Sequence, residues 1–269
     1  MSQAALAHPA AAARSFDLTI QQALLELDRI AVRRGVRLSI ETDPTEFGAV
    51  SLANEKTQAR LMPVLDFRLH EFDSSNFIWL KGEDCDGRVV TTAAIRLLDM
   101  QGMNLKQFGE SLRLFYGDPL TQCPPGESYV VNCPSGPKIK GRVTFSGGIW
   151  IDPRFRGAGA DGFRLSQVLG RFVRLLGCAD WDPDFYISGI RDVLHAKGMG
   201  DVYGWPRVET GIQWIRPSLS PNTPPYQMAV RHEWMTRGEL IHDARLVAEG
   251  KLLPIPAPTH SPHHGVAAE

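Results

Sequence analysis

The order of elements legible in this chain predicts a mixed α/β layer architecture. Three observations point to it. Helical and strand-like periodicities alternate along the chain instead of falling into separate blocks, which argues against a bundle or a sandwich. A tight hairpin is written at Asp86-Gly87, between two strand-like runs. Between residues 142 and 177 a strand, a glycine-rich turn and a long amphipathic helix follow one another.

Leu18, Ala23, Leu24, Leu27, Ile30 and Ala31 recur at near-helical spacing until Gly35 stops the pattern. Residues 36–43, VRLSIETD, alternate like a strand and end at Pro44. FIWLKGED leads into Asp86-Gly87, a residue pair suited to positive φ, and RVVTTAAIRLLD returns. Asn104 with Gln107 forms a capping box for a short helix expected to run through Leu112 and Phe115 to Gly117. Residues 117–141 are rich in proline and glycine and read as one long functional loop. It holds Cys123 and Cys133, which no histidine or metal-like spacing accompanies, so two ordinary thiols are expected there.

Composition narrows the function. The chain has 269 residues, room for one large domain or two small ones. Its 43% apolar and 22% charged content excludes a largely disordered protein. With 29 basic against 30 acidic side chains, no broad footprint for nucleic acid or an anionic membrane is expected. No apolar run approaches the roughly 18 residues of a spanning helix. The four cysteines (Cys85, Cys123, Cys133, Cys178) form no CxxC pair, which argues against a disulfide framework or zinc ribbon and for a reducing, cytoplasmic setting. Residues 1–14 and 252–269 read as disordered tails around a single domain over 15–251. His260, His263 and His264 in the second tail are a metal-binding possibility against a solvated tail, and no metal is expected.

The chemistry concentrates in RVTFSGGIWIDPRFRGAGADGFRLSQVLGRFVRLLG, residues 142–177. Val143, Phe145, Ile149 and Ile151 are strand-like, Gly147-Gly148 mark a bulge or a close backbone approach, and Pro153 ends the strand. Leu165, Val168, Leu169, Phe172, Val173 and Leu176 form one buried stripe of a helix, with Arg164, Arg171 and Arg174 between them; Arg171 is assigned to the exposed face. The intervening RFRGAG would aim backbone N–H groups and a helix dipole at one spot, with Arg154 and Arg156 adding charge. That combination suits a phosphate or pyrophosphate. GAGADG at 157–162 also matches the dinucleotide fingerprint, with Asp180 and Asp182 near the place of a ribose-binding acid. A dinucleotide fold, however, runs its strand directly into the first glycine.

Arg154, Gly157 and Gly159 after a strand and a proline turn resemble the acyl-CoA signature [QR]-x-x-G-x-[GA] of the Gcn5-related N-acetyltransferase (GNAT) superfamily. The hairpin at Asp86-Gly87 resembles that family's central strands, and DFYISGIRDVLHAKGMG (184–200) resembles its next strand and helix. The resemblance covers roughly residues 70–204, with 205–251 as a C-terminal extension. It implies a mixed, mostly antiparallel sheet flanked by helices, whose fourth and fifth strands splay to admit the pantetheine arm of acetyl-CoA or another acyl-CoA. Carried over, Ile149 and Ile151 would present strand backbone to that arm. Arg154, Phe155, Arg156, Gly157, Ala158 and Gly159 would surround the phosphates.

The implied reaction is direct attack of a small-molecule or peptide amine on the thioester, with no metal. A homodimer stays open. Two positions depart from the family pattern. Asp161 puts a carboxylate beside the proposed phosphates, and the helix that often holds a thiolate-protonating tyrosine reads RDVLHAKG. His195 is the nearest substitute there, with Tyr203 and Tyr186 the nearest phenols. These departures keep open a non-catalytic binding module of the same fold. Trp205, Trp214 and Trp234 are candidates for an acceptor pocket, with simple core as the alternative.

Overall fold

The computed structural model describes residues 18–54, 56–57, 61–217 and 226–253. The proposed N-terminal tail and His260, His263 and His264 lie outside the described residues. Helix α1 (Leu18–Arg33) buries Ala23, Leu27, Ile30 and Ala31, and the chain leaves it through Gly35 at φ +72°. Strand β1 (Arg37–Glu41) follows, then α2 (Pro44–Ala53), capped where Asp43 accepts from the backbone N–H groups of Thr45 and Glu46. The hairpin of β2 (Phe77–Glu83) and β3 (Val89–Leu98) turns at Gly87, φ +75°, as its Asp-Gly pair predicts.

The capping box at Asn104 and Gln107 opens α3 (Leu105–Glu110). The helix ends at Glu110 and does not continue to Phe115 as expected. Leu112 sits at φ +62° and turns the chain, so Phe115 leaves the helix and stacks on Trp214, ring centroids 4.5 Å apart. Residues 117–141 are not one loop either. They contain α4 (Pro119–Gln122) and β4 (Ser128–Val131), and β4 pairs with β7 (Arg207–Arg216) along the register Ser128↔Ile215 to Val131↔Ile212. The prolines and glycines set the ends of these short elements.

Strand β5 (Val143–Ile151), a 3-10 turn (Pro153–Phe155) and α5 (Leu165–Trp181) form the expected strand–loop–helix. They are followed by β6 (Phe185–Arg191), α6 (Asp192–His195) and α7 (Met199–Tyr203). After β7 the chain closes with β8 (Tyr226–Thr236) and α8 (Arg237–Ala248). The eight strands form one sheet in the order β1-β2-β3-β5-β6-β8-β7-β4. Every neighbouring pair is antiparallel except β5 and β6, which run parallel. No helix among the described residues is long and apolar enough to cross a membrane.

Two apolar cores lie on opposite faces of the sheet. One packs α1, α5 and α8 against the strands through residues such as Leu27, Leu169 and Leu240; the other gathers Phe47, Trp79, Phe115 and Trp214. Each fully buried Leu or Phe in them contributes about 1.5–3 kcal/mol. The stripe read on α5 is buried, but so is most of the helix, because α1, α7 and α8 cover what would be its outer side. Arg171 is therefore not exposed. It lies buried with Nε 3.0 Å from Asp243 Oδ2 on α8.

Candidate active site

Strands β5 and β6 pair over only three positions, from Val143↔Phe185 to Phe145↔Ile187, and then part. The cause lies on the other edge of β5. Its register with β3 shifts between Thr92↔Trp150 and Ala94↔Gly147, a bulge that bends the strand. Gly148 takes φ +62° there, and a Cβ on it would lie 2.7 Å from the Phe47 ring, so glycine is required. Thr92 Oγ1 donates to the Gly148 carbonyl at 2.9 Å and Thr91 Oγ1 to that of Trp150 at 2.7 Å, fixing the bent strand to β3.

A cavity of about 490 Å³ lies in the parting, lined from both faces of the sheet. Its edges are Ser146 to Ile149 of β5 and Ser188 to Arg191 of β6. Toward α5 it is closed by Arg174, Tyr203, Trp205 and Glu233; toward the other face by Met62, Tyr116, Trp214 and Met228. On that second face, buried Glu127 accepts from Tyr116 Oη at 2.8 Å and Trp214 Nε1 at 2.6 Å, so the aromatic wall is held in place by hydrogen bonds.

The α5 side carries the unusual electrostatics. Glu233 is 0% exposed, neither carboxylate oxygen has a hydrogen-bond partner, and burial pushes its pKa up to about 8 despite the opposing pull of Arg174. Arg174 is buried as well, donating to the Tyr203 carbonyl at 2.7 Å and lying 4.3 Å above the Trp205 ring. Burial, with the nearby Glu233, lifts the Tyr203 phenol to about 12. A Cβ on Gly200 of α7 would lie 3.0 Å from His195 Nδ1 and 3.2 Å from Glu233 Oε1, so these two groups face one point. His195 Nδ1 is buried without a partner.

The structure distributes the remaining sequence-predicted residues unevenly. Ile149 lines the cavity, and Ile151 packs beside it on the α5 face. Tyr186 is buried in the α5 core, where burial raises its pKa, and does not line the cavity. Arg154 pairs with Asp152 at 3.0 Å, and Arg156 donates to the carbonyls of Ile151 and Thr57, each at 2.8 Å. Phe155, Gly157 and Phe163 all offer carbonyls to Arg34, so this α1 residue gathers the loop. Gly157 takes φ +89° with open space beside it, Ala158 bridges to Arg164, and Gly159 donates to the Phe163 carbonyl at 2.8 Å. Asp161 faces Arg33 at 3.1 Å and accepts from the Phe163 N–H. Its charge is balanced from α1. Trp205 and Trp214 line the cavity; Trp234 instead stacks under Arg207.

Sequence reasoning missed Glu233 and Arg174 as site residues. The signal was present. Glu233 shares its face of β8 with Met235, which is core, and Arg174 sits in a helix whose neighbours are nearly all apolar.

The strands that part are the fourth and fifth across the sheet, joined by a glycine-rich turn and a helix. This parting of the fourth and fifth strands is the arrangement that the sequence resemblance to the GNAT superfamily implies. Solved structures similar to this chain include N-acetyltransferases. The spermidine/spermine N-acetyltransferase SpeG of Vibrio cholerae, with manganese ions, has a TM-score of 0.40 at 9% identity, covering 79% of this chain and 99% of its own. A GNAT-family acetyltransferase of Staphylococcus aureus Mu50 has 0.37 at 12%, covering 74% and 98%. The Salmonella typhimurium protein yncA, described as an acetyltransferase with its cofactor acetyl-CoA, has 0.35 at 10%, covering 74% and 93%. No family model matches this chain, and comparison with curated proteins finds no match.

Proposed function

We propose that this chain is an acyl-CoA-dependent N-acyltransferase acting on a small amine, with the transfer taking place in the cavity between β5 and β6. The observation that carries the reading is the parting itself. A bulged β5 leaves strand backbone unpaired along a cavity large enough for an extended arm and a reacting centre. Backbone at Ile149 would pair with the pantetheine arm of acetyl-CoA. The Ile151 carbonyl is already bonded by Arg156, which gives Arg156 the task of holding the turn against the strand. Phosphates would lie over Gly157 and Ala158, beside Arg154, Phe155 and Gly159.

When bound, acyl-CoA supplies an activated thioester. The chain's residues orient an amine against it, exclude water and move protons. Tyr203 keeps its proton at neutral pH and lines the cavity, which suits a donor to the leaving thiolate. The dinucleotide reading of GAGADG fits less well, because the 3-10 turn at Pro153–Phe155 separates the strand from the first glycine.

Calorimetric titration with acetyl-CoA and free CoA, followed by thiol release across a panel of primary amines, tests the proposal. Binding and amine-dependent thiol release are expected. Binding without release from any amine would make the chain a non-catalytic module of the same fold, and tight NAD binding without CoA binding would replace the reading altogether.

A further inference from the structure

Two arginines border the cavity on the face away from α5. Arg191 ends β6 directly across from Val230 of β8, and Val230 pairs in turn with Ile212 of β7. Trp214 and Arg216 follow Ile212 at even spacing, so Arg191, Val230, Trp214 and Arg216 share one side of the sheet. Val230 and Trp214 belong to the core on that side, and all four residues line the cavity.

The charges on this wall do not cancel. Asp66 lines it, but Arg68 already holds that carboxylate through hydrogen bonds of 2.8 and 2.6 Å. Glu127, whose oxygens accept from Tyr116 and Trp214, lies 3.7 Å from Arg216 Nε. That is too long for a hydrogen bond, so Arg216 balances Glu127 while keeping its N–H donors for another acceptor. Arg191 has no ion pair among the described residues, and Asp192 beside it is taken by Arg231 of β8. One positive charge is left over. The surface around it is apolar, formed by Met62, Met228, Val230 and Trp214.

We propose that the acceptor is an apolar amino acid, with its carboxylate between Arg191 and Arg216 and its side chain on Met62, Met228 and Trp214. The inference rests on the acyltransferase reading and deepens it by naming the class of acceptor. Acyl-CoA is left the α5 face, because Arg34 of α1 draws the glycine-rich turn to that side. The planar fork of an arginine matches a carboxylate in shape and charge. A polyamine fits this wall poorly. Its further charges would meet Arg191 and Arg216, and no unmatched carboxylate lines the wall to receive them.

Thiol release from acetyl-CoA is compared among methionine, leucine and phenylalanine, phenylalaninamide, and spermidine. The amino acids are expected to show a kcat/KM about 10–100-fold above that of the amide, the discrimination that a charge-assisted hydrogen bond provides. Arg191→Met keeps the reach and removes the charge. It is expected to raise the KM for phenylalanine by about 10–100-fold, with the KM for acetyl-CoA held and the preference over the amide lost. Arg216→Lys keeps a charge opposite Glu127 but loses the fork, and should raise the same KM to a smaller extent. Calorimetric titration with N-acetylphenylalanine needs no turnover; it should show binding to wild type and binding about 10–100-fold weaker to Arg191→Met. Equal or better use of the amide or of spermidine, an unchanged KM for phenylalanine in Arg191→Met, or a loss confined to acetyl-CoA would each overturn the proposal. A wild type that neither binds acetyl-CoA nor releases thiol with any amine overturns the acyltransferase reading instead, and the N-acetylphenylalanine titration then decides whether the cavity takes a carboxylate.

Discussion

Arg156 donates from Nε to the carbonyl oxygen of Ile151 at 2.8 Å, closing the end of β5 onto the turn that follows it. Its other arm reaches the Thr57 carbonyl, so one side chain fastens strand, turn and the segment after α2. Arg156→Ala is expected to weaken acetyl-CoA binding by about 1.5–3 kcal/mol through loss of loop geometry, the range for charge-assisted hydrogen bonds. Because the guanidinium bonds two carbonyls at once, Arg156→Lys should recover little. Calorimetry on both variants checks this, and full recovery by lysine would show that charge alone matters.

The ion pair between Arg171 on α5 and Asp243 on α8 gives a contrasting case. Arg171→Ala leaves the partly buried Asp243 without its partner, so a loss of about 1–3 kcal/mol in stability is expected. Chemical denaturation measures it. A midpoint within error of wild type would mean that water reaches Asp243 freely.

Gly148 and Gly157 both sit at positive φ but differ in surroundings. Gly148→Ala drives a methyl into the Phe47 ring and should both destabilise the chain, by about 1–3 kcal/mol, and abolish acetyl-CoA binding. Gly157→Ala meets open space and should show backbone strain of only about 1 kcal/mol. Parallel melts and titrations separate the two, and equal behaviour would remove the bulge as the cause of the parting.

Stability should pass through a maximum near neutral pH. Burial holds His232 at about 4 and His70 at about 3, below their unfolded value, so the unfolded chain binds more protons and stability falls as pH drops below about 6.5. Glu233 acts in the opposite direction. Its folded pKa lies above the unfolded one, so stability declines as pH rises toward about 8. Glu233→Gln should therefore be more stable than wild type at about pH 9, and close to it at about pH 5. Thermal melts across this range would show no such crossover if Arg174 fully compensates the carboxylate.

Tyr203→Phe is expected to bind acetyl-CoA normally and to release thiol about 10–100-fold more slowly. An unchanged rate would exclude the phenol as the proton donor.

The local rules were readable wherever a short stretch of chain decides the outcome. Asp86-Gly87 made its hairpin, Asn104 and Gln107 their capping box, and Pro153 ended β5. What escaped was decided by distant packing. Arg171 looks like a solvated helix residue until α8 supplies Asp243, and β4 looks like loop until β7 arrives to pair with it. The glycine-rich turn was legible as a shape, but its two arginines read as free charge because their partners, Asp152 and the carbonyls of Ile151 and Thr57, are acceptors that composition does not mark.

The placement of β4 has a consequence for how the chain is made. Its partner strand is synthesised much later: Glu127 and Trp214, which bond beside that edge, are 87 residues apart. At about 5–20 residues per second, a ribosome leaves the segment waiting for several seconds with its aromatic side chains and strand edge uncovered. Loop closure over such a separation also slows refolding of the finished chain. The wall of the cavity on that face therefore stays incomplete until β7 and β8 arrive, and its open edge is exposed to mispairing with another chain in the meantime.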